Sequence, residues 1–212
     1  MDILSPQLTE YLSNLVPPRP PEMQKMEAYA EERDFPIIGP ICGHLCYQIA
    51  RTSGAKSIFE LGSGYGYSTA WFARAVKENG GGEVHHVVWD DELSNKARVH
   101  LNALGYDGLI KYTVGEAIQA LHAAKGAFDL VFMDIDKQDY VKALPVITEK
   151  LRVGGILIID NILWSGKIFD EKDLSPATKA IRETTGMLSS SDRWVTSVIP
   201  IRDGLLVATK IS

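Results

Sequence analysis

The sequence predicts an α/β fold: a mostly parallel sheet of seven strands, one of them antiparallel, with helices on both faces. Three observations carry that prediction. From Ser57 onward, short apolar runs alternate with helical stretches, the order that builds βαβ units with parallel strands. The runs Phe128 to Met133 and Gly155 to Ile159 are strongly apolar, as strands buried on both faces are. The last two runs, Trp194 to Ile199 and Gly204 to Lys210, are separated only by Pro200 to Asp203. That turn is too short for a crossover, so one closing strand must run antiparallel.

The elements follow in order. Ser5 to Leu15 reads as a helix, and the prolines between Val16 and Pro21 make a stiff elbow before a second helix, Glu22 to Arg33. A third helix, Pro40 to Thr52, leads to the first strand, Ser57 to Leu61. Then come a strand Val84 to Val88, helix Glu92 to Leu104, strand Ile110 to Val114, and helix Glu116 to Ala123. The strand ending at Met133, a helix Gln138 to Leu151, the strand ending at Ile159, and a helix near Pro176 to Thr185 complete the series. Residues 1–212 are expected to form one domain, with 1–52 a helical segment and 53–212 the α/β core. Helices ahead of a first strand commonly serve as a lid or as a contact between two copies.

Bulk properties exclude more than they assign. A chain of 212 residues with 45% hydrophobic content can bury a sizeable core. Its net charge of −5 gives no support to a general polyanion binder. No apolar run approaches the roughly 18 residues that span a bilayer, and the N-terminus does not resemble a secretion signal. The expected location is the cytoplasm. Cys42 and Cys46, spaced i, i+4 with no second pair nearby, read as core residues, and the five histidines form no ligand spacing.

Two segments concentrate the chemistry, Met133-Asp134-Ile135-Asp136-Lys137 and Ile159-Asp160-Asn161. Each closes a buried strand, and neighbouring strands lie about 4.8 Å apart, so Asp134, Asp160 and Asn161 can meet at one sheet edge. Three oxygen ligands suit a hard cation, Mg²⁺ before Ca²⁺ or Mn²⁺. Lys137, one short turn past Asp134, would stand beside it. Strand-end Asp and Asn also serve simply as helix caps.

Phe59-Glu60-Leu61-Gly62-Ser63-Gly64-Tyr65-Gly66-Tyr67-Ser68 links the first strand to its helix, where α/β sheets bind nucleotides. A dinucleotide fingerprint needs glycine where Tyr67 stands, and Glu60 would repel a pyrophosphate. A carboxylate suits a ligand carrying an amine and a sulfonium instead, and S-adenosylmethionine is such a ligand. Gly62 lets the backbone approach its methionyl part, and Ser68 can meet its carboxylate.

With those residues in view, Asp134 to Tyr140 (Asp-x-Asp-Lys-x-x-Tyr) followed by Asp160-Asn161-Ile162-Leu163-Trp164-Ser165-Gly166 resembles the cation-dependent O-methyltransferases of the catechol and caffeoyl-CoA type. The resemblance runs from about Glu27 to Lys210. It implies a Rossmann-like methyltransferase fold, a metal held by Asp134, Asp160 and Asn161, and Lys137 as base. It also implies cofactor contacts from Glu60, Gly62 and Ser68, with Glu116 and Ala117 near adenine and Asp134 close by. Relatives are commonly dimeric, which implies a homodimer.

Two positions depart from the pattern. The acid expected at the end of the second strand, for the ribose hydroxyls, is Val88, and Asp90 is the nearest carboxylate to take that role. Arg202 stands where the family's closing Pro-x-Gly-Asp-Gly has its first glycine. It could pair with an anionic substrate or lie in solvent.

The expected activity is methylation of a hydroxyl on a small catechol-like or phenolic acceptor. The second reading is methylation of 5-hydroxyuridine in tRNA, because Pro17 to Pro20 and Met26 to Glu32 resemble bacterial relatives with that activity. The acidic balance weighs against RNA.

Overall fold

The computed structural model describes residues 5–212. Three helices lead, α1 (Pro6–Leu15), α2 (Pro21–Arg33) and α3 (Gly39–Thr52). Then β1 (Ser57–Leu61), α4 (Tyr67–Glu78), β2 (Glu83–Val88), α5 (Asp91–Ala103), β3 (Ile110–Val114) and α6 (Ala117–Ala123) alternate. They continue with β4 (Phe128–Met133), α7 (Tyr140–Lys150), β5 (Leu151–Ile159), α8 (Pro176–Ser189), β6 (Trp194–Ile199) and β7 (Leu205–Lys210). The sheet order is β3-β2-β1-β4-β5-β7-β6. All strands are parallel except β7, which runs against both β5 and β6.

Two details refine the expected elements. Lys137 lies in a single 3-10 turn, Lys137–Asp139, and α7 begins at Tyr140 rather than at Gln138. β5 begins at Leu151, four residues early, because Phe128 pairs with Leu151 and the register then shifts so that Leu130 pairs with Ile156. A bulge absorbs the extra residues.

The sheet is buried on both faces, as its apolar strands require. One core layer gathers Met23, Cys42, Cys46, Trp71 and Phe72 against Ile58, Phe132 and Ile158. The other gathers Tyr140, Leu144, Ile147 and Ile181 against Phe59, Met133 and Ile159. Cys42 and Cys46 are buried and unbridged, the packing role their spacing suggested. No described helix is long and apolar enough to cross a membrane.

Chain order reverses between β1 and β4, and ligands of open α/β sheets bind outside the carboxyl ends of the strands at such a switch point. The link between α2 and α3 folds over this end. α2, just ahead of the link, is fastened by the glycine loop's own aromatics: Tyr65 donates to the Met26 carbonyl at 2.8 Å and Tyr67 to Glu27 Oε1 at 2.7 Å.

Candidate functional site

A cavity of about 500 Å³ opens at the switch point. Gly62, Gly64, Val88, Ala117, Asp134 and Lys137 line it, with Phe35 to Ile37 from the N-terminal helices and Asn161, Trp164 and Arg202 from the far loops. The leading helical segment therefore supplies one wall.

The glycine loop sits where the chain has no room for a side chain. Gly62 adopts φ 88°, and a Cβ there would lie 2.1 Å from the Asp134 carbonyl oxygen. The ends of β1 and β4 are thus drawn together, with the Asp134 N–H donating to the Leu61 carbonyl at 2.8 Å. Ser68 is buried on the first turn of α4, in a small crevice adjoining the cavity.

Glu60, in β1, is fully buried. Thr69 Oγ1 donates to its Oε2, while Oε1 makes no hydrogen bond among the described residues. Burial pushes its carboxyl up to about 7, against the pull of the Ser68 and Thr69 hydroxyls. Behind Thr69 stands His86 of β2, whose Nδ1 lies 3.1 Å from the Thr69 hydroxyl. The single hydroxyl proton is spent on Glu60, so His86 must donate from Nδ1. Burial holds this imidazole neutral, down at about 3. Thr69 and His86 are parts of the site that the sequence reading missed. The available signal was Glu60 itself, since a buried carboxylate needs donors.

At the other rim, Met133 pairs with Ile159, which sets Asp134 and Asp160 side by side as expected. Their partners are not those expected. Asp134 Oδ1 accepts from Lys137 Nζ at 2.7 Å. Asp160, 1% exposed in its side chain, accepts the Asn161 N–H on Oδ1 and Arg202 Nη1 on Oδ2, the latter at 2.9 Å. Burial and repulsion from Asp134 raise the Asp160 carboxyl to about 6, and Arg202 pulls it back. Asn161, with φ 58°, turns its carboxamide nitrogen to Asp203 Oδ2 at 3.3 Å. Among the described residues no three acidic, histidine or cysteine side chains converge as a metal cluster. As placed, the set does not fit a hard cation, because Lys137 already holds Asp134 Oδ1 and Arg202 holds Asp160 Oδ2.

Asp90 and Glu116 are absent from the cavity wall. Asp90 is exposed and caps α5, its Oδ1 accepting from the Leu93 N–H at 2.9 Å. Glu116 caps α6 through the N–H groups of Ile118 and Gln119. Val88, the exposed Trp89 and Ala117 line the cavity.

The sequence profile of the O-methyltransferase family matches residues 25–211. The chain belongs to that family. This methyltransferase is 28% identical over 180 residues to a catechol O-methyltransferase of Niastella koreensis, covering 81% of the chain and 80% of the relative. It is 24% identical over 222 residues to a caffeoyl-CoA O-methyltransferase of Stellaria longipes, covering 98% and 91%. Among solved structures, a methyltransferase from Geobacter sulfurreducens superposes with a TM-score of 0.85 at 25% identity over 100% of both chains. The O-methyltransferase TomG of Streptomyces achromogenes, in complex with SAM, gives 0.87 at 24% identity over 97% and 96%. The seven-strand order and the helices around it are therefore those of the methyltransferase fold.

Proposed function

We propose that this methyltransferase transfers a methyl group from S-adenosylmethionine to a hydroxyl of a small catechol-like or phenolic acceptor. One observation carries the reading: a buried glutamate of β1, with one oxygen unpaired among the described residues, lies just ahead of the Gly62–Gly64 loop that lines the switch-point cavity, and Lys137 follows the neighbouring strand β4. Glu60 Oε1 calls for a cationic donor, which the ammonium of the methionyl part provides. The names of the relatives and the SAM-bound neighbour support the same donor and an aromatic acceptor.

When bound, the sulfonium supplies the methyl group, its C–S bond breaking with the electron pair left on sulfur as the acceptor oxygen forms the new C–O bond. The chain's own residues hold and deprotonate that oxygen. Lys137 Nζ is anchored by Asp134 and by the Ile135 carbonyl at 3.2 Å, and it lies within 6.0 Å of the Trp164 ring centre. As the amine, Nζ takes the hydroxyl proton, and Asp134 then holds the ammonium that forms. Trp164 offers a face against which an aromatic acceptor can stack. No step passes through a metal, since the expected ligands are already engaged.

The tRNA reading weakens at its own motif. Arg19, in the proline elbow, makes two hydrogen bonds to Glu27 at 2.9 and 2.8 Å, so its charge is spent inside the protein. Incubation with methyl-labelled donor and either a catechol panel or total tRNA tests the proposal. Label in catechols is the expected result; label in RNA with none in any phenol would reject it.

A further inference from the structure

Arg202 departs from the family pattern, and the structure gives the departure a partner. Its Nη1 donates to Asp160 Oδ2 at 2.9 Å, onto a carboxylate almost wholly shut from water. Its backbone stands at φ 50°, the left-handed region where glycine is at ease and an L side chain is strained. The turn holds it there. Gly204 N–H donates to the Ile201 carbonyl at 2.8 Å, Ile162 N–H to the Gly204 carbonyl at 3.1 Å, and Leu163 N–H to the Asp203 carbonyl at 2.9 Å. The β6–β7 turn is thereby stitched to the loop after β5. A Cβ on Gly204 would come 2.4 Å from Leu163 Cγ, so the two loops interlock.

We propose that the Arg202 guanidinium is the resident counter-cation of Asp160, and that methyl transfer by this chain requires no divalent cation. The inference rests on the methyl-transfer reading above. A divalent ion at this rim would compete with the Arg202 guanidinium for Asp160 Oδ2, and Asp160 Oδ1 already accepts the Asn161 N–H. Charge points the same way. The Asp160 carboxylate is matched by the permanently charged Arg202, which lowers the uncompensated charge that draws a hard cation. Asp203, the next carboxylate, accepts from the Ser165 N–H and the Asn161 carboxamide.

The guanidinium also takes over the ion's work. It is permanently charged and carries five N–H donors. One is spent on Asp160, and Arg202 lines the cavity, so further donors are within reach of the acceptor oxygen. A charged donor favours the oxyanion over the neutral hydroxyl. Lys137 then takes the proton as before, and the methyl transfer balances without a metal.

The test pairs metal binding with turnover, using the full chain stripped with EDTA. Wild-type protein should show no saturable Mn²⁺ binding by calorimetry or electron paramagnetic resonance at millimolar metal. Its turnover with a catechol acceptor should stay within about twofold whether EDTA or Mg²⁺ is present, a change too small for a lost oxyanion stabiliser. Arg202→Gly frees Asp160. It should bind Mn²⁺, lose on the order of 100-fold in kcat under EDTA, and recover with Mg²⁺. Saturable Mn²⁺ binding by the wild type, or an EDTA-sensitive wild-type rate restored by Mg²⁺, overturns the proposal. Should Arg202→Gly fail to fold, the two wild-type measurements still decide. If the wild type methylates no phenol with or without metal, the proposed function fails, and the Mn²⁺ titration alone judges this inference.

Discussion

Glu60 and Asp160 are both buried carboxylates at the carboxyl end of the sheet, 0% and 1% exposed, yet the fold treats them in opposite ways. Asp160 is given a guanidinium. Glu60 is given only neutral hydroxyls, with a hydrogen bond on one oxygen and none on the other among the described residues. An uncompensated buried carboxylate is expensive, so a protein that keeps one has placed it for a ligand's positive charge. On the proposed reading, the Glu60 end awaits the cation of the methyl donor and the Asp160 end already has one. The donor end is unfinished without its ligand, and the acceptor end is electrostatically closed.

Four changes break or sharpen that contrast, from the largest effect to the smallest. Lys137→Ala should lower kcat by roughly 10²–10⁴, the range for a lost general base, with donor affinity unchanged in calorimetry. If donor binding fell instead, Lys137 would belong to the donor end.

Glu60→Gln should weaken donor binding by at least about tenfold, as the loss of a charge-assisted hydrogen bond predicts. The same substitution should stabilise the ligand-free protein at high pH. The Glu60 carboxyl is raised from its ordinary 4.5 to about 7, so its contribution to stability is fully present below about 4.5 and lost as pH rises through 7. At about 1.4 kcal/mol per pKa unit this amounts to about 3 kcal/mol by pH 8, part of which glutamine recovers. Thermal melts at pH 5 and pH 8 read the difference, and an equal effect at both would deny that the buried charge is the cause.

Donor affinity itself should tighten as pH rises through about 7 in the wild type, because the carboxylate is the binding form. Glu60→Gln should flatten that dependence. A steep profile retained in the variant would assign the titration to another group.

Asp90→Ala should cost about 1 kcal/mol of stability through loss of the α5 cap and leave donor affinity within a fewfold range. A large drop in affinity would return Asp90 to the ribose role that the sequence resemblance suggested.

The legibility of the molecule divides along the same line. Strand positions could be read because buried parallel strands leave unbroken apolar runs, and from those runs the meeting of Asp134 with Asp160 followed directly. The bulge that starts β5 at Leu151 could not be read, because Arg152 to Gly154 carry no strand pattern. Glu60 was visible as a misplaced charge beside a glycine loop. Its support from Thr69 and His86 was not, since those donors arrive from a different helix and strand. The same limit hid the pairing of Arg202 with Asp160, 42 residues apart in sequence. Sequence spacing suggests which oxygens meet at a sheet edge, but it does not reveal a cation delivered there by a distant turn. Asp90 and Glu116 each accept from first-turn N–H groups of α5 and α6, contacts that the resemblance did not indicate.

The contrast is tested most directly by one calorimetric experiment, in which EDTA-treated wild-type protein is titrated with S-adenosylmethionine and then with Mn²⁺. The account predicts saturable heat from the donor and none from the metal. A metal isotherm before or after the donor, or no donor isotherm at pH 8, would contradict it.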